Sequence, residues 1–145
     1  MSEKDNARIV QELFDAWNSH DPDGLAKLLD DEYVEESDTL PGPIRGREGA
    51  RQVMLMYVRA FPDLRLSIAR LLPSGEHVTV CWQATGTHKG ELMGIAPTNR
   101  WAETHGCSVV QLRNGKVLNS WIYWDTGNLL RQLGVLPGPS QASSR

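Results

Sequence analysis

Apolar residues recur near the start of the chain at spacings of three and four. Ile9, Val10, Leu13, Phe14 and Trp17 therefore gather on one face of a helix predicted over about Glu3 to His20, with Ser2 as its N-cap. Asp21-Pro22-Asp23-Gly24 restarts the chain, Asp21 capping and Pro22 taking the first position of a short helix from Asp23 to Leu29. Tyr33 to Glu36 reads as a short strand. Thr39 to Gly46 holds two prolines and two glycines and reads as a loop. A third stripe, Ala50, Val53, Met54, Tyr57, Val58 and Phe61, predicts a helix over about Arg47 to Phe61, which Pro62 stops.

The period then drops to two. Leu64, Leu66 and Ile68 alternate with Arg65, Ser67 and Ala69, and Pro73-Ser74-Gly75 turns the chain. In the strand His77 to Gly86, Val78, Val80, Trp82 and Ala84 face one way and Thr79, Cys81, Gln83 and Thr85 the other. Trp101 to Arg113 is a third long strand. Asn114-Gly115 predicts a type I′ hairpin into a fourth, Lys116 to Trp124, and a last helix runs from Thr126 to Leu133. The order α-α-β-α-β-β-β-β with a short terminal helix is an α+β pattern. A bent antiparallel sheet covered by helices leaves a conical pocket suited to a small molecule. Residues 1–136 are expected to form one domain and residues 137–145 a flexible tail.

Composition narrows the function classes. The 15 basic and 18 acidic residues give a net charge of −3, and the basic residues form no stripe, which argues against nucleic acid. No leader-like apolar segment opens the chain and no apolar run is long enough to span a bilayer, so a cytoplasmic protein that does not enter membranes is expected. Cys81 and Cys107 lie in strand-like segments without metal spacing and read as two packing residues rather than a disulfide. His20, His77, His88 and His105 form no ligand motif, and there is no phosphate-binding glycine loop. Neither a metal nor an organic cofactor is expected.

Three stretches carry a family likeness: AWNSHDPDGLAKLLDDEYVEES (Ala16–Ser37), ATGTHKGELMGIAPTNR (Ala84–Arg100) and RNGKVLNSWIYWDTGNLLRQLGV (Arg113–Val135), with GREGARQV…YVRAFPDL beside them. On these the chain resembles the NTF2-like superfamily and, within it, the SnoaL-like polyketide cyclases. The resemblance implies a cone-shaped α+β barrel, three N-terminal helices packed on a strongly curved antiparallel sheet, commonly a homodimer through the sheet. It implies closure of an aromatic polyketide ring by an intramolecular aldol step without cofactor. Its acid/base is an aspartate near the end of the last strand, the position matched here by Asp125. Asn99 departs from the glycine expected in the PTGR-like loop, although Asn tolerates left-handed backbone better than most residues.

Asp125 has two readings. Trp121, Tyr123 and Asp125 share one strand face. If that face lines the cone, desolvation raises the carboxyl above about 3.9 and suits it to proton transfer. Alternatively, Asp125 before Thr126-Gly127-Asn128 is an N-cap worth about 1 kcal/mol. His105 is the second catalytic candidate: pointing inward it would bond a substrate carbonyl or Asp125, pointing outward it is an ordinary sheet residue. Trp17, Tyr33, His88, Met93, Trp101, Trp121 and Tyr123 are the candidate substrate-binding residues: the tryptophans and tyrosines belong to a set rich enough to wall a polycyclic ligand, His88 would line the mouth, and Met93 offers an adaptable loop surface. Leu92 to Pro97 is either a lid over the pocket or ordinary packing. Glu35-Glu36 reads as a solvated strand edge.

The resulting expectation is a cofactor-independent cyclase acting on an apolar, carbonyl-rich small molecule. A polyketide hydroxylase of the same architecture and a non-catalytic binder of hydrophobic small molecules are the alternatives.

Overall fold

The stripe at Ile9, Val10, Leu13 and Phe14 builds helix α1, Glu3–Asn18, in a computed structural model that describes residues 1–138. The expected tail at 137–145 falls almost wholly outside the described residues. A capping box opens α1: Ser2 Oγ accepts from the Asp5 amide at 3.1 Å, and the Asp5 carboxylate accepts from the Ser2 amide at 3.2 Å. The helix ends two residues before the predicted His20, which takes a left-handed φ of 52°. Asn18 holds this end against the sheet, donating to the Leu66 carbonyl at 2.9 Å and accepting from its amide at 2.7 Å.

Helix α2 is Pro22–Lys27, capped by Asp21. Strand β1 is Leu29–Ser37, far longer than the predicted Tyr33–Glu36, and β2, Ile44–Arg45, lies inside the predicted loop. Helix α3 is Gly46–Ala60. The remaining elements are β3 (Arg65–Ser74), β4 (His77–Thr87), β5 (Trp101–Arg113), β6 (Lys116–Trp124) and α4 (Thr126–Gln132). Strand β3 runs through Pro73 and Ser74, so the turn falls at Gly75, with φ 60°. Asn114 and Gly115 have φ of 51° and 77°, the paired positive values of the expected hairpin.

The six strands form one sheet in the order β2-β1-β6-β5-β4-β3. All neighbours are antiparallel except β1 and β6, which run parallel. Strand β1 is therefore interior, between β2 and β6. Leu112 and Gln111 of β5 oppose Val117 and Asn119 of β6, which leaves Leu118 as an extra residue and locally bends the strand. Val78, Val80, Val110, Leu112 and Val117 pack from the concave face onto Ile9, Val10, Leu13 and Met54. A second cluster joins Phe61, Leu92, Ala102, Leu129 and Leu133 at the α4 end. The architecture is the expected NTF2-like α+β cone. Among the described residues no helix is long and apolar enough to cross a membrane.

Candidate functional site

The concave face and the helices over it enclose a cavity with about 160 Å³ open to the centre of a water molecule. Its walls are mainly apolar. Leu13, Phe14 and Trp17 come from α1, Val53 and Tyr57 from α3, and Trp82, Ala84, Ile122 and Trp124 from the sheet. Tyr57 lies between two tryptophans, its ring centroid 6.4 Å from both Trp17 and Trp124.

Against this apolar wall stands Glu35, 6% exposed and the one buried carboxylate among the described residues. Its burial follows from the topology. With β1 inside the sheet, the residues facing the helices are enclosed, and Tyr33 and Glu35 share that face. Glu36, one residue on, points outward and is exposed. The expected solvated edge at Glu35-Glu36 thus holds for Glu36 alone. Tyr33 donates its hydroxyl to Glu35 Oε1 at 3.0 Å, and Ser120, the strand neighbour of Glu35 on β6, bonds in turn to Tyr33.

Burial raises the Glu35 carboxyl above its ordinary value, outweighing the Tyr33 hydrogen bond, which lowers it. Burial, then the charge of Glu35, lifts Tyr33 well above the usual phenol range. The same two causes push Tyr57 up to about 12, so both phenols remain protonated donors.

A pH dependence of stability follows. Above the ordinary glutamate value of 4.5, and until the raised folded value is reached, the folded protein keeps a proton that the unfolded chain releases. Stability should therefore fall as pH rises through that window. Glu35→Gln should flatten this slope, as read from urea midpoints across pH 4 to 8. A variant slope equal to that of the wild type would count against the raised value.

The other polar side-chain groups of the cavity are hydroxyls and the indoles of Trp17, Trp82 and Trp124. Trp82 donates Nε1–H to Ser108 Oγ at 3.0 Å. Thr104, Ser108 and Ser120 are buried on the concave face.

The residues singled out from sequence divide among this cavity, the opposite side of the sheet and the loop between β4 and β5. Trp17 and Tyr33 line the cavity. Asp125 does not. Its side chain is 65% exposed; Oδ1 accepts the Asn128 amide at 2.9 Å as the N-cap of α4, and Oδ2 lies 3.9 Å from Arg131. Trp121, Tyr123 and Asp125 do share a parity, but it is the outer one, and Ser120, Ile122 and Trp124 take the inner. The enclosed placement expected for Asp125 is corrected accordingly. Asp125→Ala should cost about 1 kcal/mol through the lost cap, read as a lowered urea midpoint. A stability unchanged within error would show the cap to be idle.

His105 also points outward, 67% exposed and 3.9 Å from Glu103. Trp101 and Tyr123 are exposed on that face, and Trp121 stacks on His77 at 6.4 Å. Cys81 and Cys107 face each other there across β4 and β5 as free, half-buried thiols. Met93 is exposed at the tip of its loop with φ 45°, whereas Leu92 beside it is buried in the second cluster.

His88 is fully buried but anchors a loop instead of lining the cavity. Its Nδ1 accepts the Thr98 amide at 3.2 Å and pairs with the Thr98 hydroxyl at 3.0 Å. Its backbone bonds to Asn99 and Arg100, and its ring lies 5.4 Å from Phe61. Burial lowers its pKa, which favours the neutral ring. Asn99, standing where glycine was expected, adopts the left-handed φ of 59°.

Sequence reasoning therefore missed Glu35, Ser108 and Ser120 as site residues. The available signal was the shared parity of Tyr33 and Glu35, an aromatic and an acid two apart in one strand.

Solved structures share this fold over nearly the full chain. AclR of Streptomyces galilaeus, described as a candidate hydroxylase, is 28% identical with a TM-score of 0.83, over 94% of this chain and 100% of that one. IdmH of Streptomyces antibioticus, a candidate polyketide cyclase, is 29% identical with a TM-score of 0.78, over 90% and 99%. A candidate SnoaL-like polyketide cyclase from Jannaschia sp. CCS1 has a TM-score of 0.84 at 18% identity, over 92% and 94%, a likeness of fold. No curated protein gives a significant match. The family model described as SnoaL-like polyketide cyclase matches residues 7–133, and by that match the chain belongs to the SnoaL-like polyketide cyclase family.

Proposed function

We propose that the cavity is the active site of a polyketide cyclase-type enzyme, acting by acid/base chemistry on an apolar, carbonyl-bearing small molecule, with Glu35 as the proton carrier. The observation that carries this reading is a carboxyl buried in an apolar cavity, raised by that burial and steadied by Tyr33. As a carboxylate, Glu35 takes a proton from the carbon next to a substrate carbonyl. The C–H pair becomes the enolate double bond, and the carbonyl π pair moves to oxygen. The enolate carbon then forms a C–C bond to a second carbonyl carbon, and the alkoxide produced recovers the proton from Glu35, which ends as it began. A raised pKa suits both halves, because the group must accept and return a proton near neutrality. The aromatic walls fit flat, fused-ring substrates.

The test is exchange of the α-protons of 2-tetralone, an apolar bicyclic ketone, in deuterium oxide, followed by proton NMR. The protein should accelerate exchange over buffer at the same pH; a rate equal to buffer would overturn the reading. A second reading, hydroxylation of an electron-rich polyketide, is favoured by the likeness to AclR. It consumes oxygen, whereas the aldol path does not, so oxygen uptake separates the two.

A further inference from the structure

Ser108 lies on the concave face of β5, buried and lining the cavity. Its oxygen accepts the Nε1–H of Trp82 at 3.0 Å. Indole nitrogen is a donor only, so the serine cannot donate back. Among the described residues the Ser108 hydroxyl has no hydrogen-bond acceptor of its own. One proton is therefore left, on an oxygen whose orientation the indole restricts, in a cavity whose walls are mainly carbon. A buried donor without an acceptor is costly unless a ligand supplies one.

The placement of the indole is itself built in. A Cβ at Gly106 would stand 2.2 Å from Cζ2 of Trp82, and 2.4 Å from Cη2. Only a glycine at this register position, directly opposite Trp82, lets the ring lie flat across β5 and reach Ser108 two residues along. Gly106, Trp82 and Ser108 form one device whose product is an aimed hydroxyl proton.

We infer that Ser108 donates a hydrogen bond to the substrate's reacting carbonyl oxygen, and that Trp82 is the positioning residue that aims it. The inference deepens the acid/base reading and rests on it for the identity of that oxygen. Register brings the two groups to one cavity: Glu35 neighbours Ser120 on β6, and Ser108 lies on β5 diagonally across from Ser120. Two strand spacings and an offset of two residues along the strand, together roughly 12 Å between backbones, separate Glu35 from Ser108. Both side chains enter the cavity, so a carbonyl and its adjoining carbon fit between them. When Glu35 removes the proton, charge grows on the carbonyl oxygen, and a fixed donor there strengthens as it does so.

The test uses 2-naphthol, the stable aromatic counterpart of the 2-tetralone enol, against naphthalene, which lacks the oxygen. Binding to the full-length protein is measured by ligand fluorescence at fixed pH. The wild type should prefer 2-naphthol, and Ser108→Ala should lose about ten-fold or more of its affinity for it while binding naphthalene as before. Trp82→Phe, which keeps the hydroxyl but frees its rotation, should lose part of the same preference and leave naphthalene within a few-fold. Equal losses for both ligands, an unchanged 2-naphthol affinity in Ser108→Ala, or no binding of 2-naphthol to the wild type would each overturn the inference. Because this preference needs no proton transfer, wild-type protein that shows it yet leaves 2-tetralone unexchanged would sink the Glu35 chemistry and retain the Ser108 contact.

Discussion

Glu35→Gln should abolish most of the acceleration of 2-tetralone exchange, by roughly 10²–10⁴-fold, the usual contribution of a positioned acid/base. Gln keeps the shape and still accepts from Tyr33, so the cavity and its ligand affinity should survive. The loss should therefore appear in the rate at saturating ketone and not in the half-saturating concentration. The variant should also be at least as stable as the wild type at neutral pH, because the cost of burying a charge disappears with the carboxylate. That combination, lower rate with equal or greater stability, is difficult to obtain by damaging the fold. If Glu35→Gln exchanged the ketone as fast as the wild type, the proton carrier would have to be sought elsewhere, and a parallel loss in Asp125→Asn would return it to the cap of α4.

Met54→Ala should give the second large effect, a loss of about 2–5 kcal/mol in unfolding free energy. Met54 is fully buried on α3 and packs in the main core with Val78, Val80 and Val110. Val53 and Tyr57 of the same helix line the cavity, so α3 is held by one face and shapes the site with another. With a urea slope of about 2 kcal/mol/M, the midpoint should fall by roughly 1–2.5 M. A loss below about 1 kcal/mol would mean that α3 settles into the space left by the side chain, and the volume of the cavity would then be set by adaptable packing.

Much of the fold was legible because its signals are local. The stripe of α1 put the right residues inside, the alternation of β4 sorted its residues correctly into two faces, and Asn114-Gly115 placed the β5–β6 hairpin. The site was less legible for two physical reasons. Parity tells which residues share a strand face but not which face is inner. Trp121, Tyr123 and Asp125 were correctly grouped, yet the extra residue at Leu118 and the direction of sheet curvature decide that Ser120, Ile122 and Trp124 are the enclosed ones. Glu35 was obscured by its neighbourhood: Leu29-Asp30-Asp31-Glu32-Tyr33-Val34-Glu35-Glu36 reads as polar surface. What buries Glu35 is the parallel pairing of β1 with β6, a partnership between distant parts of the chain that leaves no local trace. Trp17 was legible for the converse reason, since a helix stripe declares its own buried side.

That parallel pairing also orders events during synthesis. Strand β1 is made well before β6, which carries the neighbour that encloses Glu35. Contacts of such long range delay folding, because the intervening chain must first be brought to closure. A nascent protein arrested before Lys116 would lack the strand that closes over β1, so Glu35 becomes enclosed only once the β5–β6 hairpin has been made.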